Sequence, residues 1–264
     1  MYLMKRYLFA CALLAMMSLT ACGGGDRQLE YALQFAGSNR GELEKVLLHY
    51  QDDDLKLKAA EFLVLNMVGH SVPTLTSVEK YKSFYRRCDS IRDEYKSTHR
   101  SRWIALIDSL RDASQVGKIS GAVDFDPLRK VITADQMIAE IDQAFESWKE
   151  NAFTEKCSFG HFCEYILPFY RGSSFVLDDS RSWFYQLYKR RYFQDRTKLL
   201  TDEADSVLAL YKNIDFTSFN GSGIPALSTE ALMQMGGGSC TERGVFNSLL
   251  FSALGMPVTV DFVP

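Results

Sequence analysis

Residues 236–257, GGGSCTERGVFNSLLFSALGMP, join a glycine-rich turn to a cysteine and to a segment with helical periodicity. Ser239 is followed three positions later by Glu242, which is the pattern of a capping box at the start of a helix. In a capping box the first helical residue is the one after the serine. The sequence therefore predicts that Cys240 lies in the first turn of a helix.

The same stretch also marks the end of this helix. Val245, Leu249 and their apolar neighbours recur at helical spacing, so one face of the segment can be buried. Gly255 stands where a left-handed residue commonly ends a helix, and Pro257 prevents the helix from continuing. These signals predict a helix of about 15 residues.

Cys240 is a candidate nucleophile because of this position. The unpaired N–H groups and the positive dipole at a helix start favour a thiolate over a thiol. The same N–H groups can stabilise an oxyanion that forms on an attacked carbonyl. Gly236, Gly237 and Gly238 are expected to keep side chains away from the approach to the sulfur. The alternative interpretation is a small buried residue in a tight glycine-rich turn.

Residues 236–264, which end in ALGMPVTVDFVP, resemble the start of the transglutaminase-like core found in papain-fold enzymes. In that family a glycine-rich turn precedes a cysteine, a helix ends in ALG followed by Ile or Met and Pro, and a strand comes next. Residues 55–70 and 162–171 also resemble the helical region that precedes this core in exported Bacteroidetes proteins. Those relatives have LPYR where this chain has the additional Phe169.

The resemblance implies that Cys240 attacks an amide or peptide carbonyl and forms a thioester, which is released to water or to an amine. A histidine would act as the base and an aspartate would orient it, both from strands after DFVP. The sequence as given has no residues there, and Asp261, on the first strand, is expected to be structural. All four histidines lie upstream: His49, His70, His99 and His161. We therefore expect a chain truncated before the catalytic histidine and aspartate, inactive as given, with a poorly ordered C-terminal part.

Residues 1–22, MYLMKRYLFACALLAMMSLTAC, have a basic start and a short apolar run, which is the pattern of a secretory signal. The ending LTAC resembles the bacterial lipobox, whose cysteine is lipidated. We therefore predict a signal peptide over residues 1–21, lipidation of Cys22 and a flexible tether over residues 22–27. The implied location is the bacterial cell envelope, where the lipid anchors the protein to a membrane.

The composition is that of a packed globular protein with a mildly acidic surface. The chain is 47% hydrophobic with a net charge of −3, and it has no basic stripe, so nucleic acid is an unlikely partner. Helical periodicity runs through residues 28–215, most clearly over residues 133–152. The expected fold class is mainly α, with this helical region followed by an incomplete α+β transglutaminase-like (papain-like) core over residues 216–264. We expect no cofactor and no metal.

The remaining cysteines leave the disulfide pattern open. Cys88, Cys157 and Cys163 allow several pairings with Cys240 or with one another, and buried free thiols are an equal alternative. Cys157 and Cys163 flank His161, but zinc usually requires a fourth ligand. No metal site is predicted from this motif.

A second function class is a non-catalytic envelope protein that binds or scaffolds through its helical region. Aromatic side chains in that region can stack on a glycan or a peptide, or they can form the core. The core interpretation is favoured. These residues are Phe153, Phe162, Tyr165, Phe169 and Tyr170.

Overall fold

The structure, a computed structural model, describes residues 25–95, 100–114, 123–172, 174–212, 214 and 224–261. The predicted signal peptide and Cys22 lie outside these residues, as does His99. The described part of the chain is mainly helical, which confirms the predicted class at that level.

The N-terminal helices are α1 (Gly25–Phe35), α2 (Arg40–His49), α3 (Asp54–Asn66), α4 (Leu75–Tyr95) and α5 (Arg100–Ser114), with a 3-10 turn at Gly37–Asn39. Next come α6 (Leu128–Val131), α7 (Ala134–Glu150) and α8 (Phe159–His161), which continues into a π-helical turn (Phe162–Ile166). The last helices are α9 (Ser180–Tyr188), α10 (Leu200–Ala209), α11 (Thr229–Met235) and α12 (Cys240–Ala253). Strands β1 (Ser71–Pro73) and β2 (Phe125–Pro127) pair antiparallel, with Val72 opposite Asp126.

Helices α3 and α7 begin at residues whose side chains cap them. Thr133 and Gln136 form a capping box at the start of α7. The Asp53 carboxylate accepts a hydrogen bond of 3.1 Å from the backbone N–H of Lys56 and so caps α3. Each of these caps works over a few residues of the sequence.

Asn39 stands at the N-cap position of α2, but its side chain forms no cap hydrogen bond. Its side-chain amide instead donates to the carbonyls of Arg129 and Ile132, at 3.1 and 2.8 Å. These hydrogen bonds to a segment far along the chain replace a cap on α2. Residues 25–27, assigned to the tether, form the first turn of α1.

The buried side chains form two hydrophobic clusters. The first cluster joins α1, α2, α3, α7 and the π-helical turn, with members that include Leu33, Val46, Leu63, Met137, Ile141 and Phe162. The second cluster joins α4, α5, α9, α10, α11 and α12, with members that include Phe84, Ile107, Phe184, Tyr211, Phe246 and Leu250.

The predicted boundary between residues 215 and 216 falls inside the second cluster. The rings of Tyr211 and Phe246, one from each side of the boundary, have centroids 4.9 Å apart. Phe246 also packs edge-on against Phe184 of α9, at 5.4 Å. The prediction of a poorly ordered C-terminal part is therefore wrong for residues 224–253, because α12 is buried against the preceding helices.

The C-terminus of α12 is fixed to α7 by hydrogen bonds to its last carbonyl oxygens. Gly255 is left-handed as predicted, with φ +75°, and the N–H groups of Gly255 and Met256 complete a Schellman-type end. The side-chain amide of Gln143 donates to the carbonyl of Ala253 at 3.2 Å. Asn151 donates to the carbonyl of Leu254 at 2.9 Å. These bonds satisfy carbonyls that a buried helix end would otherwise leave unpaired.

Arg181 of α9 is fully buried and connects three elements. Its guanidinium donates to the carbonyls of Ile166 and Leu167, at 2.6 and 2.8 Å, and its Nη1 lies 3.5 Å from Glu140 Oε2 on α7. Burial raises the pKa of Glu140 to about 7, although the nearby Arg181 charge opposes this rise. The carboxyl group of Glu140 therefore keeps its proton to a higher pH than an ordinary glutamate, and it lies beside the charged guanidinium of Arg181.

Glu140→Gln is expected to change how stability depends on pH. Folding raises the pKa of Glu140 from 4.5 to about 7, so the stabilising contribution is fully present below about pH 4.5 and is lost as pH rises to about 7. Relative to the glutamine variant, the wild-type free energy of unfolding should fall by roughly 2–3 kcal/mol across this window. Urea unfolding at a series of pH values measures the difference. A constant difference between the two proteins would contradict the assignment.

Candidate functional site

Cys240 is the first residue of α12, and its side chain is exposed. The predicted capping box is present: Ser239 Oγ accepts from the Glu242 N–H at 3.2 Å, and Glu242 Oε2 accepts from the Ser239 N–H at 2.6 Å. The Arg243 N–H donates to the Ser239 carbonyl at 3.0 Å and begins the helical ladder. The sulfur therefore lies in solvent at the positive end of a well-formed helix.

Glu242 has a second role that local sequence patterns do not reveal. Its Oε1 accepts from the backbone N–H of Ala226 at 2.6 Å, while Oε2 holds Ser239. The side chain is buried, so both hydrogen bonds are shielded from water. One carboxylate thus fixes the turn that carries Cys240 to the segment before α11.

Glu242→Ala is expected to lower the free energy of unfolding by about 2–4 kcal/mol, because it leaves the N–H groups of Ala226 and Ser239 without their buried acceptor. Hydrogen exchange at these two amides should accelerate together. Glu230→Ala is the matched control, since Glu230 is exposed on the neighbouring α11. Unchanged exchange at Ala226 in the Glu242 variant would show that the carboxylate does not hold this segment.

The glycines before Cys240 have a packing role that the sequence does not reveal. All three are buried. Gly236 ends α11 with φ +67°, and a Cβ there would lie 2.6 Å from Arg92 Nε. A Cβ on Gly238 would overlap the side chains of Leu232 and Glu242. Gly236 and Gly238 therefore allow close packing beneath the turn, and the expected open approach to the sulfur stays a prediction.

Helix α11, which supports this turn, was not predicted from the sequence. Its signals are present but short: Ser228 Oγ accepts from the Ala231 N–H at 3.0 Å, and Gly236 ends the helix eight residues after Ser228. Arg92 from α4 donates to the carbonyls of Met233 and Gln234 at the end of α11. The turn that carries Cys240 therefore follows directly on α11, and Arg92 of α4 fixes the end of that helix.

The segment after α12 does not form the predicted strand among residues 256–261. The Val258 N–H donates to the Tyr165 carbonyl at 3.2 Å, and its own carbonyl accepts from Arg171 at 2.9 Å. These partners belong to a helical turn and a loop, so no strand ladder can start there. Val260 Cγ1 lies 3.1 Å from where a Cβ would stand on Gly244.

This contact shows where the segment runs. Gly244 is four residues after Cys240, so the two positions share one face of α12. Val260 covers this face, and the chain therefore returns along α12 towards the thiol. Asp261 comes next and is exposed, which corrects its predicted place on a strand.

No hydrogen bond joins a described histidine to Cys240, and each of these histidines lies beside an aromatic ring. His49 packs edge-on against Tyr50, and His161 lies beside Tyr165 with ring centroids 6.0 Å apart. His70 lies against Tyr170, and burial lowers the pKa of its imidazole. These aromatic neighbours belong to the first cluster or border it, whereas α12 belongs mainly to the second.

The remaining predicted site residues are accounted for by packing. Cys88, Cys157, Cys163 and Cys240 are all free thiols, and burial raises the pKa of Cys88 and of Cys163 to about 12. Phe162, Phe169 and Tyr170 are buried, which supports the core interpretation of the aromatic residues. Phe153 and Tyr165 are half-buried.

The chain matches no family model, no curated protein and no solved structure. Within the residues that the structure describes, no helix combines the length and the apolar character needed to span a bilayer.

Proposed function

We propose that Cys240 is the nucleophile of a thiol acyl-transfer or amide-hydrolysis reaction of the transglutaminase-like type. The observation that carries the proposal is the exposed sulfur on the first residue of a fourteen-residue helix with a complete capping box. Such a position favours thiolate chemistry. The other thiols with resolved environments are buried or half-buried and lack a comparable setting.

The geometry also provides hydrogen-bond donors for an oxyanion. The capping box uses the N–H groups of Ser239 and Glu242, and the ladder begins at Arg243. The N–H groups of Cys240 and Thr241 have no helical partner, because the first N–H groups of any helix lack one. They stand next to the sulfur, where the oxygen of an attacked carbonyl would develop negative charge.

The proposed reaction has two steps. The thiolate of Cys240 attacks an amide carbonyl, a carbon–sulfur bond forms, and the carbon–nitrogen bond breaks as the amine leaves with a proton taken from solvent water. Water or a second amine then attacks the thioester carbonyl and gives up a proton to solvent. The carbon–sulfur bond breaks, and the thiolate of Cys240 is regenerated. Since no described histidine forms a hydrogen bond with Cys240, acylation by an activated ester should be observable while amide turnover is slow.

The experiment is acylation of the folded chain with p-nitrophenyl acetate, followed by peptide mapping. We expect one acetyl group per chain, on Cys240, which hydroxylamine removes as a thioester. Cys240→Ala should abolish the adduct, whereas Cys157→Ala, the matched control at a half-buried thiol, should leave it unchanged. Equal acetylation of Cys157 and Cys240, or none on Cys240, would refute the proposal.

The proposed setting is the bacterial cell envelope, with the protein anchored to a membrane through a lipid on Cys22. The lipobox-like LTAC supports this, and α1 begins only three positions later, at Gly25. The folded body would therefore be held close to the lipid surface. Cys22→Ser should move the protein from the detergent-extracted membrane fraction to the soluble fraction, and an unchanged distribution would refute the anchor.

A further inference from the structure

A cavity of about 240 Å³ lies between α7, the segment leading into α9, and α12. Helix α7 contributes Gln136, Ala139, Glu140 and Gln143, which share one face of the helix. Gln136 and Ala139 are exposed, whereas Gln143 is buried. The cavity therefore opens at the start of α7 and deepens towards Gln143.

The cavity is separate from the Cys240 site. Val245 and Leu249 of α12 line it, five and nine residues after Cys240. At 3.6 residues per turn these positions lie about 140° and 180° around the helix from Cys240. A ligand in the cavity would thus face the opposite side of α12 from the thiol.

Three side chains of the lining carry buried polar atoms without a hydrogen-bond partner. Arg181, which is 1% exposed, has an unpartnered Nε, and Gln143, which is 8% exposed, has an unpartnered Oε1. Tyr170, also 8% exposed, has an unpartnered hydroxyl. Native proteins rarely leave such groups unsatisfied. Gln143, Tyr170 and Arg181 thus place three such atoms around one cavity, where bound water or a ligand would supply their partners.

The charges around the cavity favour an anionic group at its inner end. The guanidinium groups of buried Arg181 and half-buried Arg171 lie there, and they donate mainly to neutral carbonyl oxygens. Glu140 lies 3.5 Å from Arg181, and burial disfavours the ionised form of its carboxyl, while Asp178 and Asp179 add carboxyl groups at the exposed rim. A ligand carboxylate at the inner end would accept a charge-assisted hydrogen bond from the unpartnered Nε of Arg181.

The other lining groups define the rest of the ligand. Gln143 Oε1 can accept from an N–H group, and exposed Asp178 and Asp179 at the rim favour a positive charge. The volume is below the roughly 300–1,000 Å³ of pockets for drug-sized ligands, so the ligand is small. Its apolar part would contact the walls, which include Val72, Ile132, Phe169, Phe175, Val245 and Leu249.

We propose that this cavity binds a small ligand with a carboxylate, an adjacent N–H donor and an apolar side chain. This is the chemistry of a free amino acid or of the C-terminal residue of a peptide. The proposal stands independently of the reaction proposed for Cys240.

The test is calorimetric titration of the full chain with leucine, N-acetyl-leucine and N-acetyl-leucinamide. We expect at least one of the two carboxylates to bind saturably and the amide to bind at least about tenfold more weakly. Binding of leucine alone identifies a free amino acid, because the rim acids then hold its ammonium group. Binding of N-acetyl-leucine identifies a peptide C-terminus. Failure of both carboxylates to bind, or equal binding of the amide, would overturn the proposal.

Two variants show whether binding occurs in this cavity. Tyr170→Phe removes a hydroxyl that has no partner in the protein, so the unliganded chain should keep its stability while affinity falls about three- to tenfold. Ala139→Phe places a large side chain at the exposed mouth and should abolish binding. Cys240→Ala should bind like the wild type. Wild-type affinity in both cavity variants would locate the ligand elsewhere and overturn the assignment.

Discussion

Replacing Arg181 by methionine is expected to lower the free energy of unfolding by about 3–5 kcal/mol. The guanidinium is the hydrogen-bond donor to the carbonyls of Ile166 and Leu167 at the end of the π-helical turn, and it faces Glu140 across 3.5 Å. Methionine fills much of the volume but donates no hydrogen bond. The variant therefore leaves two carbonyls and a carboxyl group buried without their partner. Urea unfolding followed by circular dichroism measures the loss.

Arg190→Met is the matched control for Arg181→Met. Arg190 follows the end of α9 and is exposed, so its replacement should change stability by no more than about 0.5 kcal/mol. Similar small losses in both variants would show that Arg181 does not hold α7, α9 and the π-helical turn together.

Gly255→Ala is expected to lower the free energy of unfolding by about 2–5 kcal/mol. Two effects add at this position. Gly255 has φ +75°, which is unfavourable for any residue with a Cβ. A Cβ there would also overlap the backbone carbonyl oxygen of Ser147 on α7, which cannot move aside like a flexible side chain. The variant must therefore separate the end of α12 from α7.

Gly37→Ala separates the two effects. Gly37 has φ +59°, but a Cβ there would meet no atom within 4 Å. The Gly37→Ala variant should lose only the backbone contribution to its free energy of unfolding, about 1–2 kcal/mol. Equal losses at Gly37 and Gly255 would show that contact with Ser147 is unimportant. Chemical denaturation of both variants under the same conditions makes the comparison.

The sequence predicts those parts of the fold that depend on neighbouring residues. The capping box at Ser239 and the left-handed Gly255 are both confirmed, because each motif specifies its own backbone geometry within a few positions. The helix around Cys240 was predicted from such signals alone. Its exposed thiol in the first turn agrees with the candidate nucleophile, while the chemistry proposed for it stays a prediction.

The parts that the sequence does not predict depend on partners far along the chain. Glu140 and Arg181 are 41 positions apart, and their i, i+3 or i, i+4 neighbours do not reveal the contact. Glu242 bonds Ala226 across 16 positions, and the glycine before the capping serine meets Leu232. The resemblance to the transglutaminase-like core implies a strand after α12, but the hydrogen bonds of Val258 go to Tyr165 and Arg171. These partners lie about 90 positions earlier in the chain, so no local pattern reveals them.

The central claim is that the start of α12 activates the thiol of Cys240, and the alkylation rate of this residue tests it most directly. Iodoacetamide labelling at neutral pH, resolved by peptide mass spectrometry, compares Cys240 in the folded chain with the same residue in urea. Free N-acetylcysteine added to the same samples corrects for the effect of urea on the reagent, since its exposure does not depend on folding. We predict that Cys240 reacts faster when the chain is folded, because only then do the helix dipole and the unpaired N–H groups act on the sulfur. A Cys240 that reacts at the same rate or more slowly in the folded chain would contradict the account.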